Sequence, residues 1–371
     1  MKRPAAKATL VTALAASTAV GHVGYPALLA ALTRGRRPVP PTDPATWPAI
    51  TVIVPAFREA GVIAAKLKSV LANDYPGPLE LLVVAEDQET ADAARQIPEA
   101  RVLQPEARLG KSQAVNLAVE HAAHDVLVMT DANNQLFPEA LANLVRRLGP
   151  GIGAVAGAKS IASDDGESVY WRFESWLKER ESVLGSTIGI VGELFAVRRE
   201  AWEPIPAGIG MDDFWVSLDL HDRGWRVAYA PDAITSEPPV GTLAEEWERR
   251  TKLTAGALAV YWGKRHLIWR GGLPAMELVG HRLWRSTVGP LTHVALLGMA
   301  VGSVRRSRLA RLFLAGHVVG VAAIWWPTSA RPLPTPVRAA GQALFLQGVA
   351  LGGMARRLRG DRVATWEKAA R

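Results

Sequence analysis

Short apolar runs alternate with segments of helical periodicity between about residue 50 and residue 265. Consecutive apolar or β-branched residues predict strands at 50–55, 79–85, 102–103, 126–129, 152–158 and 224–229, and a glycine-interrupted strand or loop at 189–197. Apolar residues spaced three or four apart predict helices at 63–71, 112–123, 169–184, 214–220 and 245–261. Strands that alternate with helices indicate an α/β fold with a mostly parallel, doubly wound sheet.

The first 37 residues have the pattern of a membrane anchor. No Asp, Glu, Lys or Arg occurs between residues 8 and 32, and about 20 apolar residues suffice to span a bilayer. A cleaved secretory signal is the alternative, because the flank is basic and small residues are frequent. The length of the run and the basic segment at 34–37 favour a retained anchor. Five prolines at 38–48 predict an extended linker before a catalytic domain at 49–265.

The region 266–355 contains three further apolar segments, at 288–304, 312–326 and 339–354. The first two predict a hairpin of transmembrane helices, since arginines lie between them and Trp325 and Trp326 suit a bilayer edge. The third, weaker segment suits an interfacial helix. A bundle of soluble core helices is the alternative. Residues 356–371 form a charged tail that we expect to be exposed.

Composition narrows the class of protein. The chain has 371 residues, 49% of them hydrophobic, and a net charge of +8. Its basic residues concentrate beside the apolar segments, so anionic lipid and a phosphorylated substrate explain them better than nucleic acid does. Because cysteine is absent, disulfides, Cys-ligated zinc and thiol catalysis are excluded.

Polar side chains follow several predicted strands at the edge where α/β sheets bind nucleotides. They are Glu59, Glu86, Asp87, Asp131, Asn133, Asp212 and Asp213, with basic residues at Lys111 and 249–252. Asp131 and Asn133 offer two oxygen donors close together, which suits a hard divalent cation that also holds a diphosphate. An Asx-turn or a helix cap is the alternative for such a loop pair.

The order of the motifs resembles the family 2 inverting nucleotide-sugar glycosyltransferases, in their membrane-anchored, processive-synthase-like branch. The motifs are Val54-Pro55-Ala56 with Glu59, Gly110-Lys111-Ser112, Thr130-Asp131-Ala132-Asn133, Asp212-Asp213 and Glu246-Trp247-Glu248-Arg249-Arg250. The resemblance covers roughly residues 50 to 290. It implies a GT-A domain, a Rossmann-like mixed α/β sheet for nucleotide-diphospho-sugars, with N- and C-terminal transmembrane helices.

The resemblance also implies roles for individual residues. Pro55, Ala56 and Glu59 would line the nucleoside pocket, Asp87 would accept from a pyrimidine ring, and Lys111 would lie near base or phosphate. Asp131 and Asn133 would contact the donor sugar and a Mg²⁺ or Mn²⁺ ion, although Asn133 brings no charge where the family has a second acid. Asp213 would be the catalytic base, with Asp212 raising the pKa of one member of the pair. Glu193 would border the acceptor.

Arg249, Arg250 and Lys252 stand where the processive synthases carry a Gln-x-x-Arg-Trp motif. The resemblance implies that these cations neutralise the leaving diphosphate; a solvated helix face is the alternative. The Gln and Trp of that motif are absent, which favours transfer of one or a few sugars over synthesis of a long polymer.

The sequence therefore predicts a membrane-anchored glycosyltransferase. Its cytoplasmic domain at the inner or plasma membrane would move a sugar from a nucleotide donor, UDP-linked, to a hydroxyl of a lipid-linked or cell-envelope glycan acceptor. Two alternatives stay open. One is a nucleotidyltransferase that releases pyrophosphate, and the other is a degenerate, non-catalytic membrane scaffold.

Overall fold

The computed structural model describes residues 3–161, 166–237, 242–326 and 333–361. One eight-stranded sheet with the order β3-β2-β1-β4-β7-β6-β8-β5 forms the centre of this part of the chain. The strands are β1 (Ile50–Ala56), β2 (Leu79–Ala85), β3 (Ala100–Leu103), β4 (Val126–Thr130), β5 (Gln135–Leu136), β6 (Ile152–Ile161), β7 (Leu194–Arg198) and β8 (Arg226–Glu237).

The sheet is mixed, as the resemblance implies, and four of its seven strand pairings in the described ranges are parallel. Strands β3, β2, β1 and β4 are parallel neighbours. Strand β7 lies between β4 and β6 and is antiparallel to both, and β5 is antiparallel to β8. A strand that is buried on both faces has the same apolar pattern in either direction, so the sequence pattern did not reveal the reversal.

Helices cover both faces of the sheet and extend beyond it. In the described ranges they are α1 (Arg3–Ala19), α2 (Tyr25–Leu32), α3 (Ile63–Leu71), α4 (Gln88–Arg95), α5 (Lys111–His121), α6 (Ala140–Val145), α7 (Gly166–Leu184), α8 (Asp212–Asp222), α9 (Leu243–Gly263), α10 (His266–Arg270), α11 (Gly272–Glu277), α12 (Trp284–Ser286), α13 (Val288–Val301), α14 (Arg308–Ile324) and α15 (Thr335–Arg359). A π-helical turn joins α1 to α2, and another joins α11 to α12. The predicted helix at 63–71 is confirmed, whereas the short α4, α6 and β5 were missed.

Alternating side chains of β1 divide the core into two layers. Val52 and Val54 belong to the cluster that contains Leu67 of α3. Ile53 belongs to the opposite cluster, which contains Ala118 of α5. Since successive strand residues point to opposite faces, the continuous apolar run of β1 places side chains in both core layers. This packing fixes the carboxyl ends of β1 and β4 at one edge.

Among the described residues, one helix is long and apolar enough to cross a membrane, Ala8–Leu32. Its second half packs on the sheet domain, where Tyr25 and Leu29 are buried with Leu177 of α7. The transmembrane hairpin predicted near the C-terminus is not supported. Helix α13 has 14 residues and α14 has 17, and a membrane span needs about 20.

The last described helix, α15, packs along α9, with the rings of Phe345 and Trp247 at 6.0 Å. It continues to Arg359, so the tail predicted from residue 356 begins later. Residues 362–371 of that tail lie outside the described part of the chain.

Replacing Gly157 with Ala tests the packing of the central strands. A Cβ there would lie 2.9 Å from the carbonyl oxygen of Ala233 and 3.0 Å from that of Leu194. Both are backbone atoms, so the strands must shift, and we expect a loss of about 1–3 kcal/mol in the free energy of unfolding. Thermal unfolding should show a lower midpoint for Gly157→Ala. The matched control is Gly149→Ala, where a Cβ meets nothing within 4 Å; equal midpoints for the two variants would contradict this packing.

Candidate functional site

A cavity of about 430 Å³ opens at the carboxyl ends of β1 and β4 and extends between α7, α8, α9 and α15. Most of the residues that the sequence singled out line it: Pro55, Ala56, Glu59, Lys111, Asp131, Asn133, Glu193, Asp212, Asp213, Arg249 and Arg250. Asp87 and Lys252 are not among the lining residues. The fold thus brings together side chains that are up to about two hundred positions apart in the sequence.

Lys111 joins two acidic segments of the cavity wall. Its ammonium lies 2.8 Å from Oδ1 of Asp131 and 3.4 Å from Oδ2 of Asp212. Lys111 is the first residue of α5, so its position follows from the glycine-led turn that starts this helix. Burial alone would lower the pKa of Lys111, but the surrounding carboxylates raise it well above the ordinary value. Lys111 is therefore a permanent positive charge between the two acids.

Asp213 is held at the start of α8 without an ion pair of its own in the described structure. Its carboxylate accepts hydrogen bonds from the backbone N–H of Gly192 at 3.0 Å and of Phe214 at 2.7 Å. The N-cap of α8 is Met211, so Asp213 lies within the first turn of the helix. Removal from solvent and then the neighbouring Asp212 raise the pKa of Asp213 to about 7. A carboxyl with this pKa suits a general base near neutral pH.

Asp131 and Asn133 follow β4 and line the cavity beside Lys111. Burial, with a contribution from Glu193, raises the pKa of Asp131 although Lys111 opposes the shift. Four carboxylates, those of Asp131, Glu193, Asp212 and Asp213, meet here, and this excess of negative charge fits a divalent cation. In the described ranges, no group of three histidine, aspartate or glutamate side chains could hold a metal ion by itself. Oxygens of the diphosphate and of water would therefore complete the coordination shell of the cation.

The carboxylate of Glu193 is held in an ion pair and is not placed for proton transfer. Lys159 lies 2.9 Å from its carboxylate. Burial would raise the pKa of Glu193, but Lys159 lowers it to about 2. The backbone carbonyl of Glu193 also accepts hydrogen bonds from Thr130 at 2.8 Å and from Asn134 at 3.0 Å. Glu193 therefore stays anionic and its loop is tied to the end of β4.

A buried lysine stiffens the same region and was not identified from the sequence. Lys66 of α3 is fully buried and donates to Thr130 at 2.7 Å and to Asn134 at 2.6 Å. Burial lowers its pKa to about 7. Lys66 lies on a helix whose other buried residues are mostly apolar, and its sequence surroundings gave no indication of this role.

The part of the cavity where the resemblance places the nucleoside is lined by Pro55, Ala56 and Glu59, with Phe57 and Arg108 beside them. The guanidinium of Arg108 stacks 3.9 Å from the ring centre of Phe57. Asp87 does not line the cavity. Its carboxylate caps α4 through Thr90 and accepts from the backbone of Arg58 at 2.6 Å.

Two of the three predicted diphosphate-binding cations reach the cavity. Arg249 and Arg250 of α9 line it and share Glu246 as an ion-pair partner. Lys252 points elsewhere and pairs with Glu248 at 3.2 Å. Helical spacing alone would place Lys252 on the face of Arg249, three positions before it, but the ammonium of Lys252 pairs with Glu248 instead.

The cavity also contains residues that sequence reasoning missed, in the part that adjoins α7 and the segment before α13. They are His22, Tyr170, Glu174, Lys178, Arg282 and Arg285. Arg282 and Arg285 are spaced three apart just before an apolar segment, which is a signal that could have indicated a shared helical face.

Comparison with known proteins identifies the family. The sequence model described as "Glycosyltransferase like family 2" matches residues 48–255, which is more than half of the chain. An N-acetylglucosaminyltransferase of Rhizobium meliloti (strain 1021) is 28% identical over 233 residues, 55% of this chain and 54% of the relative. A beta-monoglucosyldiacylglycerol synthase of Synechocystis sp. is 22% identical over 57% of this chain and 48% of its own length. The chain thus spans about half the length of these curated relatives.

Among solved structures, a mannosyltransferase of Pyrobaculum calidifontis, in complex with GDP-Man and Mn²⁺, superposes with a TM-score of 0.75. The match covers 95% of this chain and 99% of that chain at 24% sequence identity. The similarity therefore concerns the fold, and it includes helices outside the sheet domain. The predicted GT-A fold is confirmed.

The unusual pKa of Asp213 predicts a pH-dependent gain in stability on substitution. Its carboxyl titrates at 3.8 in its ordinary state and at about 7 in the folded protein. Between these values the folded protein holds a proton that the unfolded chain has lost, so this group makes stability fall as pH rises. The Asp213→Asn variant lacks the group, and its thermal midpoint relative to wild type should rise from about pH 4 to about pH 7.

The matched control is Asp92→Asn, whose side chain is 60% exposed. We expect no comparable pH-dependent difference for it. A midpoint difference for Asp213→Asn that stays constant over this pH range would contradict the assigned environment of Asp213.

Proposed function

The chain belongs to the glycosyltransferase family 2, and from this premise we propose that it transfers a sugar, with inversion, from a nucleotide-diphosphate donor to an acceptor hydroxyl. The observation that carries the proposal is the meeting of Asp213, Lys111 and Asp131 in one cavity that Pro55 and Glu59 also line. A base, a cation for the diphosphate and oxygen ligands that can hold a divalent metal ion are the groups that such a transfer needs.

Asp213 is the proposed catalytic base. The acceptor oxygen attacks the anomeric carbon and forms the new glycosidic bond, while the bond from that carbon to the diphosphate oxygen breaks. Asp213 takes the proton of the acceptor hydroxyl, and the nucleoside diphosphate leaves with the electron pair. A pKa of about 7 lets the carboxylate accept a proton near neutral pH. Asp212 stays bound to Lys111 and helps to keep the pKa of Asp213 raised.

The leaving diphosphate carries negative charge that the cavity has to balance. Arg249 and Arg250 line the cavity on α9, and we propose that they contact the diphosphate oxygens. Asp131 and Asn133 would hold a Mg²⁺ or Mn²⁺ ion, which supplies further charge neutralisation when it is bound. Asp87 and Lys252, given roles from the resemblance, are better explained as a helix cap and a surface ion pair.

We further propose that the enzyme works at the cell membrane on a lipid-linked or envelope glycan acceptor. The helix Ala8–Leu32 has the length and composition of a span, and its residues Tyr25 and Leu29 are buried in the folded protein. A segment with such contacts is better explained as a retained anchor than as a cleaved signal. The relatives named N-acetylglucosaminyltransferase make UDP-N-acetylglucosamine the first donor to test.

Replacing Asp213 with Asn should abolish transfer and spare donor binding. We expect a loss of at least about a hundredfold in kcat, since positioned base catalysis contributes on that order, with an unchanged Kd for the nucleotide. Sugar transfer can be followed with a radiolabelled donor and nucleotide binding by calorimetry. Asp92→Asn is the control and should behave as wild type. Full turnover by Asp213→Asn would refute the assignment.

Replacing Asn133 with Asp should strengthen metal-dependent nucleotide binding, because it adds a charged oxygen ligand. Calorimetric titration with UDP, GDP and UMP, each with and without Mn²⁺, gives the readout. We expect a tighter diphosphate complex for Asn133→Asp when Mn²⁺ is present and a weaker one in a chelator, where the extra carboxylate repels the diphosphate. Asp131→Asn should weaken the Mn²⁺-dependent complex. Equal affinities with and without metal in all variants would argue against a cation at this site.

A further inference from the structure

Basic residues outnumber acidic ones in the part of the cavity that adjoins α7 and the segment before α13. We define this basic end by Lys178 of α7 and by Arg282 and Arg285 of the segment that leads into α13. Glu174 is the carboxylate that faces them, and it pairs with Arg285 at 2.6 Å and with Arg282 at 3.5 Å. It also contacts His281 at 3.0 Å. One carboxylate is therefore shared among two guanidiniums and an imidazole.

Two nitrogen atoms at the basic end make no hydrogen bond within the described structure. They are Nζ of Lys178, which faces the ring of Tyr229 at 4.5 Å, and Nε of Arg282, whose Nη1 lies 3.5 Å from Glu174. Lys178 is only 1% exposed. The two side chains approach each other at Gly189, where a Cβ would lie 3.0 Å from Nη2 of Arg282 and 3.0 Å from Cδ of Lys178. Buried cationic groups with unused hydrogen-bond donors are costly unless a ligand supplies an acceptor and negative charge.

The basic end lies beside the candidate membrane helix. His22, inside the span Ala8–Leu32, lines the same cavity. Gly21 of that helix leaves the space that the side chain of Arg285 occupies, and Gly280 leaves the space for the ring of Tyr25. The helix that would enter the bilayer thus forms part of the cavity wall.

Helices α9 and α15 add mostly apolar surface to the cavity. The lining residues are Leu253, Thr254 and Ala257 of α9 with Leu346, Gln347, Val349 and Ala350 of α15. A cavity with a cationic end, an apolar side and a membrane helix in its wall fits a ligand that has an anionic head and a hydrocarbon tail.

We propose that the basic end is the binding site for the phosphate of a lipid-linked acceptor, whose reacting group is a sugar hydroxyl separate from that phosphate. Arg282 is the main phosphate-binding residue, because in the described structure its ion-pair contact is a long one, 3.5 Å to Glu174, and its side chain is 26% exposed. It lies 5.9 Å from the ring of Phe214, the residue after Asp213, so the phosphate site and the proposed base belong to neighbouring parts of one cavity. The inference deepens the proposed function and rests on it for the identity of the ligand as an acceptor.

Binding of decyl phosphate to the detergent-solubilised protein tests the site. Binding of decanol and of inorganic phosphate, measured in the same detergent, gives the separate contributions of the tail and of the head group. We expect decyl phosphate to bind at least about tenfold more tightly than either, a difference of about 1.4 kcal/mol. Equal binding of decyl phosphate and decanol would overturn the proposal without any variant.

The Arg282→Gln variant should bind decyl phosphate at least about tenfold more weakly, since the substitution removes a charge-assisted hydrogen bond. Its Mn²⁺-dependent UDP binding should be unchanged. Arg282→Lys keeps the charge and should lose less of the affinity for decyl phosphate. Arg270→Gln is the matched control, because Arg270 is exposed and pairs with Asp222 outside the cavity.

Two results would overturn the inference. Unchanged decyl phosphate binding in Arg282→Gln would remove Arg282 from the site. Competition between decyl phosphate and UDP, with both weakened equally in the variant, would assign the basic end to the donor diphosphate. In either case the wild-type protein still forms a Mn²⁺-dependent UDP complex. Failure of the proposed glycosyl transfer would instead appear as absence of that complex in the wild-type protein or as full activity of Asp213→Asn.

Discussion

The structure of the site depends on the need to balance four carboxylates in one cavity. Lys111 lies between Asp131, which follows β4, and Asp212, which begins α8, and Lys159 neutralises Glu193. Asp213 is left with backbone donors alone in the described structure. Because charge is compensated unevenly, the pKa of Asp213 is raised to about 7, whereas Lys159 lowers the pKa of Glu193 to about 2. The fold creates this inequality, since both groups are buried carboxyls.

The backbone around these groups is fixed by buried polar contacts. Lys66 binds Thr130 and Asn134, and both of these donate to the carbonyl of Glu193. The end of β4 and the loop before β7 therefore move together. A site held in this way from the core needs little reorganisation when charge develops during a reaction.

The N-terminal helix, in this arrangement, is part of the folded protein. Tyr25 donates a hydrogen bond to Glu181 at 2.6 Å, and His281 contacts the same carboxylate at 2.7 Å. Helix α7 thus connects the candidate span with the segment that carries Arg282 and Arg285. The proposed membrane anchor and the proposed acceptor site therefore share one set of contacts through α7.

The sequence by itself determined the α/β class, most element positions and the family, because strand runs, helical periodicity and ordered motifs are local properties. It also identified Asp131, Asp213 and Lys111, which follow directly from strand ends and helix starts. Only the tertiary structure decided the direction of β7, the outward position of Lys252, the capping role of Asp87 and the burial of Lys66. The basic end likewise depends on contacts between α7 and residues about one hundred positions away. Such contacts are set by packing between distant segments, and no local pattern encodes them.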